Sequence, residues 1–198
     1  MARKSLSLLL ATLVPVGALV LMIHAASAAG PKIGCQPHSL TVKTGQTFYI
    51  TVAVTDTTDL YAWQLDATYY HAYLEFVRLV PGDHLRSDGA SYYLVNPGVV
   101  PAATTSEMRL AAYTRLSRDV GVNGSGAVAH IFFRALQQKL DGTNVTLNQI
   151  KLVDRNALEI TKSLSNSGQC KVYISNTAPP LIQPPVGEQT LFLPVMLR

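Results

Sequence analysis

The sequence has little charge and no strong excess of either sign. Charged residues make up 14% of the 198 residues, and the formal net charge is +4. Arg3 and Lys4 lie in an N-terminal segment that we expect to be removed, which leaves 14 basic against 12 acidic residues and a net charge of +2. Nucleic-acid binding requires a basic patch or stripe. The near-neutral balance therefore argues against a nucleic-acid partner.

The sequence also lacks a catalytic or metal-binding motif. Four histidines, His38, His71, His84 and His130, are isolated, and none has the spacing of metal ligands. The glycine-rich run at 121–126 has the wrong glycine spacing for a phosphate-binding loop, and no helix follows it. We therefore predict that the protein is not an enzyme, with no catalytic residue, metal or cofactor. A calcium site at the turn containing Asp56 and Asp59 is the less favoured alternative to a solvated turn.

The N-terminal segment has the features of a signal peptide. Arg3 and Lys4 precede an almost wholly apolar run at 6–23, and Ala26-Ser27-Ala28 is a small-residue cleavage pattern. A retained transmembrane anchor is the alternative, since the run approaches spanning length. We assign 1–29 to the signal peptide, 30–176 to a single domain, and the mature protein to the extracellular space with no membrane span after cleavage.

The chain contains only two cysteines, Cys35 and Cys170. An even number of cysteines in an exported protein favours a disulfide. We predict a Cys35–Cys170 disulfide, which requires the first and last strands to be neighbours. Lipid attachment at Cys35 is the alternative, although Lys32 stands where an apolar residue would be expected.

Alternating apolar and polar residues predict short β-strands throughout the domain, with no convincing amphipathic helix. Period-two alternation is typical of half-buried strands, and glycine, proline, asparagine and aspartate favour the turns between them. Many short strands without helical partners indicate an all-β sandwich with jelly-roll topology. The predicted strands are 39–43, 47–55, 60–69, 74–80, 91–95, 108–115, 128–136, 145–153, 158–161 and 170–175.

The composition changes after Asn176. Four prolines between 177 and 188 predict a stiff extended linker, because proline cannot pair within a sheet. The apolar tail at 189–198 is too short to span a bilayer. It is either an ordinary apolar tail or a docking peptide presented away from the domain.

An ordered set of segments resembles the cohesin family. The strand at 60–69 is followed by Leu74-Glu75-Phe76-Val77 and by the turn Pro81-Gly82-Asp83-His84-Leu85. Residues 108–113 and 121–135 resemble the central strands of the family, and 145–154 its closing region. Two positions depart from the family pattern: Tyr70-His71 replaces the common Asp-Pro, and Asn156-Ala157 replaces the common Asn-Gly.

This resemblance implies a β-sandwich that binds a dockerin-bearing partner, such as a glycoside hydrolase, in extracellular polysaccharide degradation. In the strand at 60–69, alternation places Trp63, Leu65, Ala67 and Tyr69 inward. In the strand at 108–115, it places Met108, Leu110, Ala112 and Thr114 inward. The outward residues of the two strands then form the predicted partner-binding face: Gln64, Asp66, Thr68, Arg109, Tyr113 and Arg115.

Direct polysaccharide binding is the alternative function. Sugar rings stack on exposed aromatic side chains, but Trp63 has the inward register, and no aligned row of aromatics is evident. The candidate aromatics are Tyr61, Tyr70, Tyr73, Tyr92, Tyr93 and Tyr113.

Overall fold

The computed structural model describes residues 30–116 and 119–186, so the expectations for the signal peptide and for the tail at 189–198 lie outside the described residues. The described chain is almost entirely β-structure, with short 3-10 turns at His84–Arg86 and Ser165–Gly168. No helix in these two ranges is long and apolar enough to cross a membrane. The strands are β1 (Lys32–Gln36), β2 (Ser39–Lys43), β3 (Thr47–Tyr70), β4 (Leu74–Pro81), β5 (Ser91–Val95), β6 (Gly98–Pro101), β7 (Thr105–Leu116), β8 (Val122–Ala135), β9 (Lys139–Asp154), β10 (Ser163–Leu164) and β11 (Gln169–Ser175).

Strand β3 is a single 24-residue strand in which the expected turn at 56–59 is a kink. Asp56 and Asp59 adopt left-handed φ angles of 56° and 55°, and the register with β8 shifts between Val54 and Leu60. The Oδ1 atom of Asp59 accepts a hydrogen bond of 2.8 Å from the N–H of Gly121. The kink bends the strand without ending it, so the predicted division into two strands is wrong at this point.

Because β3 bends, its two halves belong to two different layers of the sandwich. The N-terminal half pairs with β8 and β1, and these continue to β4 and β10 respectively. The C-terminal half pairs with β7 and β9, which continue to β5 and β6 on one side and to β11 and β2 on the other. The all-β sandwich expected from the sequence is confirmed.

The residues of β3 that alternation predicts to face inward do lie in the core between the two layers. Trp63, Leu65, Ala67 and Tyr69 are all buried. The Trp63 ring stacks on Tyr113 with centroids 5.9 Å apart and planes 8° apart. Burial of large aromatic side chains supplies much of the hydrophobic stabilisation of a domain this size.

The disulfide between Cys35 and Cys170 is present, with Cα atoms 5.6 Å apart. Lipid attachment at Cys35 is thereby ruled out. Cys35 lies within β1, a strand that the sequence analysis missed, and Cys170 lies in β11. These two strands are in different layers and do not pair with each other, so the bond links the layers across the core.

Other differences from the sequence prediction concern short or irregular segments. Strands β1, β6 and β10 were not predicted, and the predicted strand at 158–161 is reduced to one bridge between Val153 and Glu159. The Asn123-Gly124 and Asp141-Gly142 pairs, which the predicted strand boundaries place between strands, lie inside β8 and β9, with φ angles of 97° at Gly124 and 83° at Gly142. A positive φ at glycine can be accommodated inside a bulged strand as well as in a turn.

Candidate functional site

The outer face of the β9–β3–β7–β5 sheet is built from two rows of residues that run across four strands. The register pairs Ala62 and Gln64 of β3 with residues of β7 on one side and of β9 on the other. Strand β5 extends both rows beyond β7. In order across the sheet, the first row is Tyr93, Thr114, Ala62 and Val153, and the second is Val95, Ala112, Gln64 and Lys151.

These rows surround a shallow depression of about 220 Å³. Its floor is apolar because small side chains, Ala62 and Ala112, occupy the centre of both rows, between Val95 and Val153. Tyr93, which is 61% exposed, stands at one end of the depression. An apolar, slightly concave centre with polar groups at its edge is the usual arrangement of a protein-interaction surface.

Next to the depression, a β-bulge in β7 changes which residues face outward. Leu65 of β3 pairs with Ala111 and Ala67 pairs with Met108, so Arg109 and Leu110 together oppose Asp66. Leu110 has a left-handed φ of 60°. The extra residue shifts the alternation of β7 by one position beyond the bulge.

The outward register predicted for the C-terminal part of β7 is therefore wrong. Leu110, predicted inward, is 55% exposed, and Ala111 is fully buried. Tyr113 and Arg115, predicted to contact a partner, are 2% and 1% exposed. Strict alternation fails here because it cannot account for an inserted residue.

The buried Arg115 is held by polar groups beneath the sheet. Its NH1 group donates a hydrogen bond to the backbone carbonyl of Leu85, and its NH2 group forms an ion pair of 2.6 Å with Oδ2 of Asp88. Hydrogen bonding from the Arg115 guanidinium is the main reason that the pKa of Asp88 lies below its usual value. Arg115 therefore anchors the segment that follows the 3-10 turn to β7.

Tyr113 lies in the same buried region, between Trp63 and Tyr92. The Tyr92 and Tyr113 ring centroids are 5.0 Å apart, and their planes are 17° apart. Burial raises the pKa of Tyr113 to about 12. Its hydroxyl is thus neutral in the ordinary pH range, and its role is in core packing.

The remaining predicted site residues lie at the outer face or just beneath it. Gln64 and Thr68 are half-buried on β3, and Arg109 is exposed on β7, where its Nε contacts Oε2 of Glu107 at 2.5 Å. Thr68 accepts a hydrogen bond of 2.6 Å from Nδ2 of Asn148 on β9. Asp66 is 9% exposed and bonds to the bulge, so the expectation that it is a solvent-exposed contact is wrong.

Several residues that form this face were not among the predicted partner contacts. Ala112 was predicted inward, and the contributions of β5 and β9 were not considered. The outward alternation within β5 could have identified Tyr93 and Val95, whereas no local sequence signal distinguishes the bulge at Leu110. The missed residues are Tyr93, Val95, Leu110, Ala112, Lys151 and Val153.

A protein-family profile described as "Cohesin domain" matches residues 35–172, which include both layers of the sandwich. The chain belongs to the cohesin family. Cohesins are non-catalytic protein-interaction modules, in agreement with the prediction that this chain is not an enzyme. No curated protein shows significant sequence similarity to this chain.

Solved cohesin structures have the same fold at low sequence identity. A non-cellulosomal cohesin from the archaeon Archaeoglobus fulgidus is 14% identical, with a TM-score of 0.54 over 74% of this chain and 92% of that chain. The OlpC cohesin of Clostridium thermocellum, solved in complex with a dockerin, is 13% identical, with a TM-score of 0.56 over 74% and 94%. A type II cohesin from the ScaA scaffoldin of Acetivibrio cellulolyticus is 14% identical, with a TM-score of 0.53 over 78% and 99%.

The described residues contain no group of three or more histidine, cysteine, aspartate or glutamate side chains arranged to hold a metal ion. Asp59, one of the two aspartates considered for calcium, instead pairs with Arg155, with 3.3 Å between Oδ2 and Nε. The described residues of the outer face offer apolar contact, hydrogen bonding and a few charges.

Proposed function

We propose that this cohesin binds a dockerin-type partner through the outer face of its β9–β3–β7–β5 sheet. The observation that supports this most directly is the apolar depression flanked by the exposed Leu110 side chain on the β7 bulge. Two of the structurally similar cohesins, OlpC and OlpA of Clostridium thermocellum, were solved as complexes with dockerins.

The face suits a helical partner for physical reasons. Small residues at the centre, Ala62 and Ala112, let a helix approach the sheet closely, while Leu110 offers an apolar side chain for burial. Gln64, which lines the depression, and Thr68 and Arg109, which lie outside it, supply polar groups that fix orientation. Burial of exposed apolar area provides the main driving force for such association.

The proposal is tested by isothermal titration of the mature protein against a panel of dockerin modules. Leu110→Asp replaces an exposed apolar side chain beside the depression with a charge, and we expect it to weaken binding by about 1–3 kcal/mol if Leu110 is a main contact. The substitution should not strain the backbone at position 110, because aspartate adopts a left-handed φ more readily than leucine does.

Val77→Asp is the matched control. Val77 is 45% exposed on β4, in the opposite layer, so the same change of chemistry there should leave affinity unaltered. Equal loss of affinity in both variants, or none in a folded Leu110→Asp protein, would place the interface elsewhere. Failure of every dockerin in the panel to bind would reject the partner class.

The proposed function also includes where the protein acts and what kind of protein its partner is. We propose that the protein is secreted, which the signal peptide predicted at 1–29 and the disulfide support. We also propose that the dockerin-bearing partner is a polysaccharide-degrading enzyme such as a glycoside hydrolase. Direct polysaccharide binding is less well supported, because Trp63 is buried in the core. Binding of the protein to insoluble glucan in the absence of a dockerin would favour that alternative.

A further inference from the structure

The segment after Asn176, predicted to be a stiff extended linker, lies against the domain in its described part. Up to Val186 it runs along the outer face of the β4–β8–β3 sheet, where residues 181 and 183–186 line one groove with Tyr49, Arg78 and Phe132. Leu181 packs against the hydrophobic core, whereas Ile182 is 93% exposed. Leu181 therefore faces the domain, whereas Ile182 faces the solvent.

Two glutamine side chains hold this segment in a reciprocal arrangement. The side-chain amide of Gln46 donates to the carbonyl of Leu181 at 2.6 Å and accepts from the N–H of Leu181 at 3.0 Å. The side-chain amide of Gln183 donates to the carbonyl of Tyr49 at 2.8 Å and accepts from the N–H of Tyr49 at 2.8 Å. In each pair, a side-chain amide occupies the position that a peptide group of a neighbouring strand would take.

The open edge of β3 explains why such a site exists. Strand β1 ends at Gln36, which pairs with Thr51, so β1 does not reach the backbone of Tyr49. A strand edge with unpaired N–H and C=O groups is a ready site for an added peptide. Prolines 184 and 185 cannot donate to this edge, and the Gln183 side chain makes the hydrogen bonds in their place.

Aromatic side chains form the adjoining wall of the groove. The Tyr49 and Phe132 ring centroids are 5.3 Å apart, and the Arg78 guanidinium lies 4.4 Å from the centroid of the Phe132 ring. The Tyr49 hydroxyl donates to the carbonyl of Pro184 at 3.1 Å. Aromatic-lined grooves with hydrogen-bond donors to carbonyls are suited to extended, proline-containing peptides, which lose little entropy on binding.

We propose that the open edge of β3 and the Tyr49–Phe132 groove form a docking site for an extended, proline-containing peptide, and that residues 181–186 of this chain occupy it. The site is on the layer opposite the face proposed for a dockerin. The docked segment lies on the layer that contains β4 and β8. A partner on the β9–β3–β7–β5 face can therefore be bound at the same time as this segment.

Amide hydrogen exchange of the full mature protein, followed by NMR, tests the proposal. The amides of Tyr49 and Leu181 should be protected in the wild-type protein. Gln183→Glu keeps the acceptor for the Tyr49 N–H but replaces the donor to the Tyr49 carbonyl with a second oxygen. We expect it to lower the protection of the Tyr49 amide about tenfold or more, as the segment opens locally.

Gln46→Ala should have the same effect on the Leu181 amide, and Ile182→Ala, a change at an exposed side chain of the same segment, should affect neither. Amides of Leu147 and Leu152 in the core of β9 report whether a variant remains folded.

Rapid exchange of Tyr49 and Leu181 in the wild-type protein, or unchanged protection in both glutamine variants, would overturn the proposal. A concentration-dependent dimer in sedimentation velocity, lost in the Gln46→Ala/Gln183→Ala protein, would assign the segment to a second copy and overturn the intramolecular site. Dockerin binding is not part of these measurements, so their outcome is independent of the proposed function.

Discussion

The Oδ1 atom of Asp66 accepts a hydrogen bond of 2.7 Å from the backbone N–H of Leu110. This contact joins the centre of β3 to the bulge of β7. It satisfies an N–H group that the bulge would leave without a strand partner, and it holds Leu110 outward at a left-handed φ of 60°. A residue predicted to contact a partner directly thus shapes the face from beneath.

Asp66→Ala should destabilise the fold and weaken partner binding together. Loss of a carboxylate acceptor from this part-buried N–H costs about 1–2 kcal/mol of the free energy of unfolding. Asp66→Asn retains an acceptor oxygen and should cost less. Urea denaturation measures the stability, and titration with a bound dockerin measures affinity. Equal stability of the alanine and wild-type proteins would contradict this role.

Arg115→Ala should reduce stability without a direct effect on the partner surface. The side chain is buried, and its removal leaves the Leu85 carbonyl without its partner, so we expect a loss of about 1–3 kcal/mol. Asp88→Asn should cost less, because asparagine keeps an acceptor oxygen for the guanidinium and leaves the Leu85 contact in place. Thermal and urea unfolding compare the two variants. A stable Arg115→Ala protein with weakened dockerin binding would restore Arg115 as an interface residue.

Ala157→Gly should stabilise the protein. Ala157 has a left-handed φ of 62°, in the position where the family commonly has glycine. Relief of this conformation is worth about 1–2 kcal/mol, partly offset by the greater freedom of glycine in the unfolded chain, so a net gain of about 0.5–1 kcal/mol is expected. Ala72→Gly, at an exposed turn residue without a positive φ, is the control and should be destabilising. The midpoint of urea unfolding distinguishes the two outcomes.

Reduction of the Cys35–Cys170 bond should lower stability strongly. The bond closes a loop with a sequence separation of 135 residues. The chain-entropy model gives about 5 kcal/mol for a loop of this length. The Cys35→Ala/Cys170→Ala protein, which also lacks the link between the layers, should unfold at much lower urea concentration than the oxidised protein. A shift of less than about 1 kcal/mol would show that the reduced unfolded chain is already compact.

Stability should fall as the pH decreases below 6.5. Burial lowers the pKa of both His84 and His130 from the ordinary value of 6.5, and nearby Arg115 lowers that of His84 further. The unfolded chain therefore binds protons at a higher pH than the folded protein, and protonation in this window favours unfolding. The loss should level off below the lowered pKa values. Urea unfolding between about pH 4.5 and 8.5, roughly two units on either side of the ordinary histidine pKa, measures this loss.

A His84→Asn/His130→Asn protein provides the control for this prediction. His84 Nε2 lies 3.3 Å from the Thr57 hydroxyl, and His130 Nδ1 lies 3.1 Å from the Thr51 hydroxyl, so asparagine keeps a polar group at both positions. The slope of stability against pH near 6 should be smaller in this protein. An unchanged slope would assign the effect to other groups.

The sequence by itself determined the sandwich, the inward register of Trp63 to Tyr69 and the cysteine pair. These follow from period-two alternation and from the number of cysteines, which are local or compositional properties. Turn residues marked most strand ends for the same reason, although Asn123-Gly124 and Asp141-Gly142 are glycine-containing positions within bulged strands.

Only the tertiary structure decided which residues form the outer faces of the β9–β3–β7–β5 and β4–β8–β3 sheets. The bulge opposite Asp66 inserts one residue into β7 and reverses the orientation of Ala111, Ala112, Tyr113 and Arg115. Likewise, the segment after Asn176 docks because β1 stops at Gln36 and leaves the edge of β3 open beside Tyr49. Both outcomes depend on pairing between segments that are distant in sequence. Alternation within one strand does not indicate where a neighbouring strand ends or where it contains a bulge.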